Sequence, residues 1–288
     1  MKTISVHLYE VSSATGRDLT GLIRGISHTP KARRWRKVSL HDMALMESQF
    51  DAENQLYLLD FVKRREVGPG KVRRDSDIEA FPFAAGENFG EETAALWDPA
   101  RGWLALQFNQ HGVRAGSIAN YFNSYDHDPG NDWLVMPKLD DNAAAMLRRR
   151  PHVRAAHMKF SVTPALTEAM RDNGEAMGAA LSAMSTEAGS AHVEVSFTMG
   201  HNNGFIDRSV GTMMRRLSQV FGQEDGLKSM QITAREQADS MDKVIDLLEH
   251  RVKGGFSDRE LEIEGGRYTV RSRWHALRRL HAGWTQEF

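Results

Sequence analysis

The chain has 288 residues, 41% of them hydrophobic and 26% charged, with a formal net charge of −1, which suits one large or two medium domains with a buried core. It contains no cysteine, which excludes disulfides, thiolate metal sites and a cysteine nucleophile. No run approaches the roughly 20 apolar residues that span a bilayer, and the N-terminus lacks a signal peptide's apolar stretch, so a soluble, cytoplasmic protein without membrane insertion is expected.

In chain order, ISVHLYEV (4–11) alternates at period two and predicts a strand. KARRWRKVSL (31–40) packs five cations around one tryptophan. QLYLLDFVKRR (55–65) is an apolar run leading into charge, and VGPGKVRRDSD (67–77) reads as an exposed loop. ETAALWDP (92–99) and GWLALQFN (102–109), separated by a turn signal, predict a hairpin. ENFGEET (87–93) reads as its charged approach. SIANYFNSY (117–125) has helical spacing with Ser117 as N-cap. The polar YDHDPGND (125–132) marks a boundary, which puts a domain break near 137.

Beyond it, VRAAHMKFSV (153–162), SAHVEVSFTMG (190–200) and LKSMQITA (227–234) are strand-like, and 164–184 and 205–221 are helical by period. DSMDKVIDLLEHRVKGG (239–255) has a capping-box-like start and a Gly254–Gly255 stop, which predicts a helix. RYTVRSRWHALRRLHAGW (267–284) reads as strand then basic helix, with a Trp274, Leu277, Leu280/His281, Trp284 stripe suited to core or a dimer contact. The expected fold class is α+β in two domains: a strand-rich N-terminal domain (1–137) and a β-α-β-α type C-terminal domain (138–288).

Catalytic signatures are missing. The twelve histidines offer no H-x-x-x-H pair, and GISHTP, GPGKVRR and GHNNGF match no phosphate-binding loop. Asp126, His127, Asp128 and Asp132 suit a metal or general-base site, although such strings are usually solvated loops. No metal or cofactor is assigned, and a non-enzymatic protein is expected.

The basic residues stand in clusters: Lys31, Arg33, Arg34, Arg36 and Lys37 around Trp35; Lys63, Arg64 and Arg65 with Lys71, Arg73 and Arg74; Arg148 to Arg150 with Arg154; Arg208, Arg215 and Arg216; and Arg267, Arg271, Arg273, Arg278 and Arg279. The half-chains differ little, from −3 over 1–144 to +2 over 145–288, so a positive face must come from placement rather than excess. Guanidinium pairs bidentately with phosphate and stacks on aromatic rings. Phosphate neutralisation releases counterions and gives sequence-independent affinity. The phosphate-gripping set is Lys31, Arg33, Arg34, Arg36, Lys37, Arg73, Arg74, Arg149, Arg215 and Arg216, with Trp35 as an aromatic platform or packing anchor. Any one such run is more often a solvated face.

HMKFSVTPALTEAM, then SAHVEVSFTMG with DRSVGTMMRRL, then LKSMQITAREQADSMDKVIDLLEHRVKGGFSDREL follow an order that resembles the RexA-like phage exclusion proteins. ENFGEETAALWDPARGWLALQFNQHGVRAGSIANYF is similar to the block that precedes it there. The resemblance implies a homodimer that binds double-stranded DNA without sequence preference. It also implies distant kinship with the recombination-associated protein RdgC and a prophage or anti-phage defence setting, with room for a separate effector protein. It transfers no catalytic motif. Two rivals stand beside it: a metal-dependent nuclease or phosphodiesterase built on Asp126, His127, Asp128 and Asp132, and a protein–protein assembly module whose cations only solubilise it.

Overall fold

Strand β1 (Thr3–Ser13) alternates as expected, burying Ile4, Val6 and Leu8 on one side. A computed structural model of the chain describes residues 2–13, 15–38, 41–68, 70, 77–109, 111–125, 133–149, 152–161, 192–198, 227–236 and 241–288. After β1 comes helix α1 (Leu19–His28), which buries Leu19, Ile23 and Ile26; the Asp18 carboxylate accepts from the Thr20 and Gly21 N–H groups and starts it.

Strands β2 (Arg36–Val38), β3 (His41–Asp51), β4 (Leu56–Arg65), β5 (Phe89–Asp98) and β6 (Trp103–Gln107) then form an antiparallel meander, and β6 pairs with β1. The β5–β6 hairpin matches expectation, and its turn uses Gly102 at φ +68°. On its other edge β1 pairs β12 (Lys253–Ser257) along Thr3–His7 and β7 (Trp133–Pro137) along Tyr9–Ser13.

This sheet is covered on both faces, which is why β4 reads as an unbroken apolar run. Tyr57, Leu59 and Phe61 meet α1 and helix α2 (Ala115–Asn123) in one core. Leu56 and Leu58 meet the terminal helix α4 (Val270–Glu287) in another. Helix α2 begins two residues before the expected cap: Arg114, not Ser117, is its N-cap, and its side chain makes no capping bond.

Helix α3 (Asp141–Arg149) leads into a second antiparallel sheet in the order β11 (Lys243–Asp246), β10 (Leu227–Arg235), β8 (His152–Ser161), β9 (His192–Thr198). Its buried side chains include Val153, Met158, Met230 and Ile232. The chain is therefore mixed and strand-rich, with helices on a large antiparallel sheet. The helical periods at 164–184 and 205–221 lie outside the described residues.

After the second sheet the chain returns to the first, through the Leu139–Arg251 bridge, β12, the β13 (Ile263–Glu264) and β14 (Arg267–Tyr268) hairpin, and α4. The first sheet thus takes an edge strand and one covering layer from residues beyond 137. The stretch 239–255 corrects the helix expectation: its described residues are β11, a turn and the start of β12. Ile245 and Leu247 are buried as part of the second sheet. Gly254 and Gly255 are not a helix stop. They admit close approach, since a Cβ on Gly254 would stand 3.0 Å from Leu280 and 3.1 Å from Trp284, and one on Gly255 3.0 Å from the Ile4 carbonyl oxygen.

The α4 stripe is core: Trp274, Leu277, His281 and Trp284 are buried against the sheet. Among them Arg273 is 2% exposed and faces Asp60, 1% exposed, through Nη1–Oδ1 and Nη2–Oδ2 contacts of 2.6 and 3.2 Å. Burial pushes the Asp60 carboxyl up to about 6 against the pull of Arg273, so the pair is ionised at neutral pH. Removing one partner of such a pair strands a charge and typically costs about 3–5 kcal/mol. Arg273→Met is expected to lose about that much in chemical denaturation, while Asp60→Leu/Arg273→Met recovers most of it. Equal losses in the single and double variants would contradict the coupling.

Candidate functional site

The basic arm folds as a single 3-10 turn, Lys31–Arg33, followed by β2, because Pro30 prevents α1 from continuing. Its cations then part company. Arg34 is only 9% exposed and turns inward. Its Nε donates to the Thr29 carbonyl at 2.7 Å, its Nη2 to Ser27 at 2.6 Å, and its Nη1 to Leu45 and Met46 at 3.2 and 3.1 Å. It closes the C-terminal end of α1, where carbonyls lack helical partners, and ties it to β3. The Arg34 carbonyl in turn accepts from the Tyr121 and Tyr125 hydroxyls at 2.8 and 2.9 Å. Arg34 is a structural clamp rather than the phosphate contact expected from the cluster.

Arg36 lies 3.9 Å over the Tyr125 ring and donates to the Arg33 and Trp35 carbonyls. Lys31 is paired with Glu47, both about half exposed. Arg33 and Lys37 are exposed, and Trp35 is half-buried. Strand registers place Lys37 opposite Asp42 and Arg64 opposite Gly90. The Arg64 guanidinium is 3.6 Å from Asp42, each side chain more than 40% exposed. A groove of about 490 Å³ runs along this row, with Trp35, Lys37, Arg64 and Phe89 in its walls. Phe89 meets Phe83 edge-on at 4.6 Å, and the Phe83 side chain is itself exposed.

The groove adjoins a larger cleft of about 820 Å³, since Gly90 lines both. A Cβ on Gly90 would stand 3.1 Å from Val62, so the glycine keeps the junction low. Lys2, Glu92, Phe108, Arg267 and Arg273 contribute to the cleft walls. Its carboxylates are already engaged: Glu92 pairs with Arg267 and stands 3.5 Å from Arg273, and Glu91 pairs with Arg65. Asp60, the one described carboxylate pushed well up, is sealed behind Arg273.

The last basic cluster is thus largely consumed by the fold. Arg278 reaches Asp51 at 3.0 Å, and Arg279 pairs with Glu260. Arg149 is exposed at the end of α3, away from the arm in sequence and in element. Arg73, Arg74, Arg215 and Arg216 lie outside the described residues, as do Asp126, His127, Asp128 and Asp132.

Folding also assembles cations that no local spacing announces. Lys253 is the cross-strand partner of His7. The His7 ring is 5.4 Å from Phe108, over which the Arg114 guanidinium stands at 4.4 Å. Burial, then the charges of Arg251, Lys253 and Arg114, hold the His7 imidazole down to about 4. Arg251 and Lys253 are two residues apart, and it is the pairing of β12 with β1 that sets Lys253 beside His7.

Arg34→Gln is expected to remove about 2–4 kcal/mol of stability by orphaning buried carbonyls and packing, whereas Arg33→Gln at the neighbouring exposed position stays within about 0.5 kcal/mol of wild type. Thermal and chemical unfolding of the two variants checks this. Equal effects would contradict the inward role of Arg34.

A comparison with curated proteins finds no match. A family model described as a family of unknown function, DUF6731, matches residues 11–264, which run from within β1 to the β13–β14 hairpin. With so much of both sheets inside that match, the chain belongs to the DUF6731 family.

Proposed function

We propose that this protein holds double-stranded DNA without reading its sequence and performs no chemistry on it. The observation that carries the reading is the groove in which Trp35 stands with the exposed Lys37 and Arg64. An aromatic wall in the same groove as two cations offers apolar contact to sugar and base edges while the charges take phosphates. Lys31 and Arg33 extend the positive edge, and Arg149, Arg73, Arg74, Arg215 and Arg216 complete the set of phosphate contacts. The pairs that now hold Lys31 and Arg64 are no obstacle. Exposed ion pairs of this kind are worth about 0–1 kcal/mol, so a polyanion can take the cations over.

The RexA-like resemblance adds the setting: a cytoplasmic homodimer from a prophage or anti-phage locus, with a separate effector protein downstream. Pairing two copies would double the cationic edge presented to one duplex. A second reading, the assembly module, is favoured by a specific observation. Lys31–Glu47, Arg65–Glu91 and Arg279–Glu260 show several cations already answered by acids.

Fluorescence anisotropy with two unrelated short duplexes separates the readings. Equal affinities are expected, weakening at least tenfold between about 50 and about 200 mM salt as several phosphate contacts are lost. Lys37→Glu/Arg64→Glu should weaken binding a further tenfold or more without changing the melting temperature. Failure to bind either duplex at about 50 mM salt would contradict the DNA reading and leave the assembly module.

A further inference from the structure

The cleft beside the β13–β14 hairpin carries charges of both signs within one hollow of about 820 Å³. Glu91 and Glu92 come from β5, Arg267 from β14 and Arg273 from α4, and the exposed Lys2 stands in the same wall. Most of their bonds are spent on one another and on close neighbours. Asn109 Nδ2 donates to Glu91 Oε2 at 3.3 Å, Arg267 Nε donates to Glu92 Oε2 at 3.3 Å, and Arg65 pairs with Glu91. Asp60 takes both terminal nitrogens of Arg273. The Arg273 Nε is left over: it is buried and has no hydrogen-bond partner among the described residues.

A buried N–H without an acceptor is a standing cost that an incoming oxygen removes. Glu92 Oε2 stands 3.5 Å from Arg273 Nη2, so an acid and a guanidinium lie side by side in the lining. A ligand of a single charge is attracted by one part of such a lining and repelled by the other. A ligand that carries an ammonium and a carboxylate on one carbon answers both. Its three ammonium donors meet the lone pairs still open on Glu91 and Glu92, and its carboxylate meets Arg273 Nε, with Arg267 and Lys2 adding positive charge. Because each carboxylate has about four lone-pair sites, the existing pairs need not break.

The cleft also offers an apolar wall, in which Phe108 and Ile263 are both exposed. We infer that this cleft binds a free α-amino acid with an apolar side chain. Lys37 and Arg64, the cations that carry the DNA reading, do not line it, so the two readings stand or fall separately.

Isothermal titration calorimetry of the full chain with leucine, methionine, phenylalanine and tryptophan tests the inference. At least one of the four is expected to bind. Its N-acetyl form, which lacks the ammonium, and its amide, which lacks the carboxylate, should each bind at least tenfold more weakly. That comparison uses the unaltered chain, so it does not depend on any variant folding. Glu91→Gln should then narrow the gap between the amino acid and its N-acetyl form, whereas a purely structural loss would lower both alike. No binding by any of the four, equal binding by an amino acid and its two blocked forms, or an unchanged gap in Glu91→Gln would overturn the proposal.

Discussion

The ion pair between Arg273 and Asp60 constrains the rest of the molecule. A charge taken out of water is tolerated only beside an opposite charge with good geometry, so α4 sits on β4 in the register that brings these two side chains together. That register also sets the Trp274 indole N–H 2.9 Å from the Leu59 carbonyl and His281 2.9 Å from Asp98. Arg267, just ahead of the helix, then falls over Glu92, and the β13–β14 hairpin becomes one wall of the cleft. Glycines at 254 and 255 let the same helix press against β12. One buried pair thereby fixes the terminal helix, the edge of the sheet and the hollow beside it.

Arginine serves two opposite purposes in this chain, and composition does not distinguish them. Arg34 and Arg273 are interior fasteners, one answered by backbone carbonyls and the other by a carboxylate. Arg33 and Arg64 face solvent. Among the described residues, two of the basic runs thus give one arginine each to the interior, Arg34 and Arg273.

Much of the first sheet is legible in the sequence. Period-two alternation marks β1, an unbroken apolar run marks the doubly covered β4, and a turn signal joins β5 to β6. Helix α1 is harder to see, being short and diluted by Gly21 and Gly25, although Asp18 is a recognisable cap. The misreading at 239–255 has a physical cause. Acidic and apolar spacing there imitates a capped helix, but pairing with β10 and closeness to α4 outweigh local propensity. At the site, a tryptophan among cations is visible in the sequence, while the groove that joins it to Arg64 and Phe89 depends on strand pairing. The inward turn of Arg34 was not, because its acceptors are main-chain atoms at 27, 29, 45 and 46 that carry no residue-type signal. The placement of Lys253 beside His7 depends on the β1–β12 pairing, which the residue types at 7 and 253 do not announce.

The exposed Lys37 and Arg64 share one groove with Trp35, brought together across β2, β3 and β4 from stretches far apart in sequence. Photochemical cross-linking of a bound duplex, with the linked peptides mapped, tests this arrangement most directly. The account predicts adducts in peptides carrying residues 31–37 and 63–65, and none on Arg273, the buried arginine of α4. Adducts concentrated on 271–279, or spread evenly over the chain, would contradict it.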